Sequence, residues 1–310
     1  MALLLAAHSP GALRLLGVST VAGNQSVDNN MTAPTAIWLD CDPGHDDAMA
    51  LLLAAHSPGA LRLLGVSTVA GNQSVDKTTH NACRVLDAVG AAPAIKVVRG
   101  QDAPLLRPAR HDPGIHGESG LDGSAILDGV RADPARLVSK AGTKGVMHMA
   151  ESILGHTGGK VTLIATGALT NVALLLALYP EVKPALTEIV LMGGAMGIGN
   201  RHPVAEFNIL CDPEAAQLVF TCGVRVVMVP LEVTHTALAT PEVMGRITAR
   251  RSLLSAMVVD LLSFFKDTCV RVIVCVCERK RERERERARA RARVCACMCV
   301  ANRGSVRAAR

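Results

Sequence analysis

Six short apolar runs punctuate the chain between residues 35 and 230. They read TAIWLD from Thr35, LRLLGVSTV from Leu61, AIKVVRG from Ala94, VTLIATG from Val161, EIVLMGG from Glu188 and VRVVMVP from Val224. Each is dense in Val, Ile and Leu at successive positions, the pattern of strands covered on both faces. Longer stretches with helical spacing alternate with them: Asp46–His56, Lys77–Val89, Val146–Leu154, Leu169–Tyr179, Pro213–Cys222 and Pro241–Phe265. Strand and helix in turn predict an α/β fold, a doubly wound and mostly parallel open sheet in one domain. Such sheets bind ligands at the carboxyl ends of their strands.

The two ends break this pattern. Residues 1–28 repeat residues 49–76 letter for letter. Structural repeats drift in sequence and recur as whole units, so residues 1–30 read as a duplicated appendage. The predicted domain runs from 31 to 268. Beyond it, ERKRERERERARARARVCACMCV, from Glu278, alternates with period two. It carries no helical periodicity and no turn chemistry, so 269–310 reads as a low-complexity tail.

Composition sharpens this division. The 310 residues are 49% hydrophobic but only 2% aromatic, so the core must be aliphatic. The net charge is +6. From Val270 onward, 13 Lys or Arg stand against 4 Glu, a net of +9, which leaves −3 for the rest. The basic balance therefore belongs to the tail and gives no reason to expect nucleic-acid binding by the fold. No apolar run approaches the roughly 20 residues of a membrane span. Cys41, Cys83, Cys211 and Cys222 are scattered singly through the body, which fits a reducing, cytoplasmic setting better than a disulfide framework. GHTGGKV, from Gly155, lacks the spacing of a phosphate loop, GGAMGIG lacks that of a dinucleotide fold, and no nucleophile elbow is present.

Chemistry gathers where the strands end. LDCDPGHDDA places Asp40, Asp42, Asp46 and Asp47 within eight residues after the first strand. Helix capping accounts for one aspartate but not four; like charges this close call for a cation. Asn72 follows the second strand, Thr166 the VTLIA strand, and Asn200, Glu206 and Asn208 the EIVLMGG strand. Acids and amides without clustered Cys or His suit a hard cation such as Ca²⁺ or Mg²⁺.

Taken in order, DCDPGHDDAMALLLA, TVAGNQ, IHGESGLDG, ATGALTNVALLL, IVLMGGA, VAEFNILCDPEAA and PLEVTHTALATP resemble the motifs of the inosine–uridine-type nucleoside hydrolases. The resemblance spans about three quarters of the chain. It implies Ca²⁺-dependent hydrolysis of the N-glycosidic bond of purine or pyrimidine ribonucleosides, giving ribose and free base, in a homodimer or homotetramer. It implies Asp42 as general base and Ca²⁺ ligand, with Asp47 and the Thr166 carbonyl as further ligands. Asp46 and Asn208 would hold the ribose 2′- and 3′-hydroxyls, and Asn200 and Glu206 the 5′-hydroxyl side. Asn72 would lie beside water and sugar, and His116 near the base. Asp40 is expected to be a buried structural acid bonded to loop N–H groups. The family pattern also carries a His-Asp pair after the helix ending near Phe265. Here no histidine follows His235 and no aspartate follows Asp267, so weak cation binding and slow hydrolysis are expected. Two other readings remain: a nucleoside- or ribose-binding remnant without turnover, and a Mg²⁺-dependent phosphatase of the D-x-D type.

Overall fold

The structure is a computed structural model that describes residues 33–139 and 142–265. The appendage at 1–30 and the tail from 269 lie outside the described residues. Seven strands form one sheet: β1 Thr35–Cys41, β2 Leu61–Thr68, β3 Val97–Arg99, β4 Leu137–Ser139, β5 Val161–Ala165, β6 Leu186–Met192 and β7 Val226–Val229. Their order is β4-β3-β2-β1-β5-β6-β7, and every pairing is parallel. The chain winds outward from β1 to one edge, then returns beside β1 at β5 and winds to the other. The expected doubly wound fold is thus present, and its direction switches between β1 and β5.

Alternation along β1 shows why both faces must be covered. Ile37, Leu39 and Cys41 pack into one layer with Leu51 of helix His45–Ala55 and Leu86 of helix Val75–Ala88. Ala36 and Trp38 point into the opposite layer, against Met149 of helix Gly142–Leu154 and Val172 of helix Thr170–Leu178. Successive strand side chains face opposite ways, so a strand between two helical layers must be apolar throughout. Burying a side chain of this size contributes about 1.5–3 kcal/mol.

Two expectations need correction. Six strands were expected and seven are present among the described residues. β4 is three residues long, too short for periodicity to reveal it. It is held at the edge by pairing with β3 and by the neighbouring Arg136, which donates to Asp87 Oδ1 at 2.6 Å and to the Ile95 and Ala91 carbonyls at 3.0 and 3.2 Å. The single helix expected over Pro241–Phe265 is two, Pro241–Thr248 and 253–265. Arg251 sits between them at φ 50°. Ser252 and Ser255 then exchange side-chain-to-backbone bonds of 3.0 and 3.1 Å, a reciprocal cap that starts the second helix.

Candidate active site

The switch between β1 and β5 opens a crevice at the carboxyl ends of two adjacent strands. Asp42 is the first residue past β1 and Thr166 the first past β5. Thr166 N–H donates to the Asp40 carbonyl at 2.8 Å, tying the two strand ends together. The next helix begins at His45, and Asp47 Oδ2 accepts the Gly44 N–H at 3.2 Å. The strand end and the first helical turn thus bring Asp42 and Asp47 to one point, both buried.

Asp42 is held through one carboxylate oxygen and its carbonyl. Asn72 donates its backbone N–H to Asp42 Oδ2 at 2.7 Å and its side-chain amide to the Asp42 carbonyl at 3.0 Å. A Cβ on Gly167 would lie 2.6 Å from Asp42 Oδ1, and one on Gly71 would collide with Oδ2. Only glycine lets the two flanking loops close on the carboxylate.

The remaining carboxylate oxygens are the informative ones. Asp42 Oδ1 and Asp47 Oδ1 are buried without a hydrogen-bond partner, as is Asp40 Oδ2. Leaving a buried polar oxygen unpaired costs about 1–3 kcal/mol. Burial, reinforced by the Asp47 charge, pushes the Asp42 carboxyl well above its usual range; burial and then Asp46 do the same to Asp47. Ionised together, these groups need a positive partner. Their oxygens, like the Thr166 carbonyl, are of the hard type that divalent cations take as ligands. Among the described residues, no three His, Cys, Asp or Glu side chains group as a metal site.

Asp40 departs from expectation in its partners. It is buried and structural, but its Oδ1 accepts from Ser67 Oγ and, at 2.7 Å, from Asn171 Nδ2, rather than from loop N–H groups. Burial pushes its carboxyl up to about 7.

Around this floor stand the other expected residues. Asp46 is exposed, beside the pair. Asn208 Nδ2 donates to the Thr166 carbonyl at 2.8 Å and to the Met192 carbonyl at 3.1 Å. Glu206 is buried and caps helix Phe207–Cys211, accepting from Gly194 and Ile209 N–H at 3.0 and 3.2 Å. Burial raises its carboxyl as well. Asn200 lies on the rim after β6, its Oδ1 accepting the Arg201 N–H at 2.8 Å; no described hydrogen bond joins it to the other site residues.

His116 ends helix Pro113–His116 and is buried. Its Nδ1 lies 3.0 Å from His45 Nδ1 and 3.2 Å from the His45 N–H. His45 Nε2 is 2.9 Å from the Asp122 carbonyl. The His45 ring stacks on Phe264 at 4.9 Å and the His116 ring on Phe265 at 5.5 Å. Burial pulls both imidazoles below their usual range. His45, Phe264 and Phe265 were absent from the expected site. His45 had a visible signal, since it stands inside the aspartate signature. The phenylalanines had none, because residues more than two hundred positions away meet it only through packing.

The sequence profile described as "Inosine-uridine preferring nucleoside hydrolase" matches residues 37–278. The pyrimidine-specific ribonucleoside hydrolase RihA of Shewanella woodyi is 46% identical over 235 residues, covering 76% of this chain and 72% of that protein. RihA of Klebsiella pneumoniae is 45% identical over 229 residues, covering 74% and 70%. Among solved structures, a purine-preferring ribonucleoside hydrolase from Gardnerella vaginalis superposes with a TM-score of 0.68 at 28% identity, covering 76% of this chain and 72% of that one.

Proposed function

Because the chain belongs to the inosine-uridine preferring nucleoside hydrolase family, we propose that the β1/β5 crevice hydrolyses ribonucleosides with a bound divalent cation, Ca²⁺, and favours pyrimidine bases. One observation supports the cation: two carboxylate oxygens, Asp42 Oδ1 and Asp47 Oδ1, are buried without hydrogen-bond partners. The base preference is supported by the pyrimidine-specific relatives, which are closer in sequence than the purine-preferring structure.

When bound, the cation would lower the pKa of a water molecule and draw the ribose diol to the floor. The protein's own groups do the rest. Asp42, fixed by Asn72 and walled by glycines, takes a proton from the attacking water. As the N-glycosidic bond breaks, its electron pair leaves with the base, which takes a proton from solvent; the sugar becomes oxocarbenium-like, and the acidic floor stabilises that positive charge. Asp46 and Asn208 hold the ribose diol, Glu206 and Asn200 the 5′ side, and His116 lines the base. The active unit is a homodimer or homotetramer.

The test is release of reducing sugar from uridine, cytidine and inosine by the purified full chain, with Ca²⁺ and with chelator. Turnover that is slow, sensitive to chelator and faster on the pyrimidine nucleosides is expected. Undiminished turnover in chelator would remove the cation, faster inosine cleavage would reverse the base preference, and no sugar from any nucleoside would favour a binding remnant. Phosphate release from a phosphomonoester would instead favour the D-x-D phosphatase reading.

A further inference from the structure

The mouth of the crevice is formed by loops with no sheet to hold them, and one ion pair joins two of them. Asp112 lies on the loop after β3, four residues before His116. Arg201 lies on the loop after β6, beside Asn200 and five residues before Glu206. The guanidinium grips the carboxylate with two bonds, Arg201 Nε to Asp112 Oδ2 and Arg201 Nη2 to Asp112 Oδ1, the latter at 2.7 Å. The Asp112 backbone is itself anchored, its N–H donating to the Asn72 carbonyl at 3.1 Å. His111 Nδ1 lies 3.1 Å from the Gly71 carbonyl. The pair therefore connects three loops, one of which holds Asp42.

We propose that Asp112 and Arg201 are positioning residues, a clasp that holds the base-side loop with His116 against the ribose-side loop with Asn200 and Glu206. Three observations separate this clasp from an ordinary surface pair. It is bidentate, which fixes direction as well as distance. The side chains are only 16% and 29% exposed, so solvent screens them less than a fully exposed pair. The Asp112 side chain makes no cap bond to its own short helix, leaving its carboxylate to Arg201. Both charges also act on His116, Asp112 drawing its pKa up and Arg201 pushing it down, so the clasp lies within electrostatic reach of that imidazole.

The inference rests on the nucleoside reading for its kinetic consequence but not for its structural one. In the full chain, Arg201→Gln and Asp112→Asn are each expected to raise KM for uridine about threefold to tenfold, with kcat changed less than about twofold. The double variant should be no worse than either single one, because the second change removes a partner already lost. Hydrogen exchange should rise in peptides spanning 110–117 and 195–206 in all three variants alike. Effects that multiply in the double variant, or singles with wild-type KM and exchange, would overturn the clasp. If no nucleoside is cleaved by the wild type, the functional reading fails and exchange alone decides: equal protection in wild type and variants overturns the clasp, and matched loss in both loops upholds it.

Discussion

The floor and the rim of the crevice are built on opposite plans. On the floor, Asp40 is paired with strands on both sides, Asp42 and Thr166 directly follow β1 and β5, and Asp47 lies in the first turn of the next helix, all of them buried. On the rim, Asn200, Arg201 and Asp112 stand on loops that the sheet does not reach, and an ion pair supplies the hold. The difference teaches where each kind of precision comes from. Strand ends can fix carboxylates at a cost, because burial disfavours their charge. Loops keep their polar groups near water at little cost, but must be tied.

The largest expected effect breaks the floor. Asp42→Asn removes the proposed base while keeping the acceptor oxygen for Asn72, and should lower kcat about 10²–10⁴-fold with an unchanged melting temperature or a higher one. A variant with wild-type turnover would move the base elsewhere. Next is Gly167→Ala, whose Cβ would sit 2.6 Å from Asp42 Oδ1. Displacing the carboxylate by this route should cost about 10²-fold in kcat, and a loss confined to KM would argue against it.

The third prediction sharpens the comparison through pH. An acid whose folded pKa is raised binds protons more tightly when folded, so stability falls as pH rises from its unfolded to its folded value. For Asp40 that window runs from the ordinary 3.8 to about 7, and Asp42 and Asp47 shift the same way. A cation between the carboxylates should reverse the penalty. Saturating Ca²⁺ is expected to raise the melting temperature by about 5–10 °C at pH 8 and by much less at pH 5. Equal gains at both values would place the ion away from these carboxylates. The smallest effect belongs to the rim: Asn200→Ala should raise KM about twofold to tenfold, the worth of one hydrogen bond, and leave cation binding unchanged in a thermal-shift titration. A shift in cation affinity would mean that floor and rim are not separable.

Much of the fold was legible because its strands are buried on both faces and so spell themselves out as apolar runs. β4 was not, since three residues at an edge carry no period and depend on Arg136. The break at Arg251 was hidden for a similar reason: its cap is made by two serines, which are unremarkable in composition. At the site, the aspartate signature and the amides Asn72 and Asn208 were readable as polar groups placed past strand ends. The partners of Asp40 were misjudged because Ser67 and Asn171 belong to a neighbouring strand and a distant helix.

The sequence by itself determined the alternation of strand and helix, the acidic cluster and the family. Those are properties of local spacing and residue type, which the chain carries wherever it folds. Only the tertiary structure decided that the chain reverses between β1 and β5, that three carboxylate oxygens are left buried and unpaired there, and that His45 and Phe265 stack against His116, with Phe264 against His45. Each of these depends on strand order and on packing between residues far apart in sequence, and neither is encoded in a local pattern.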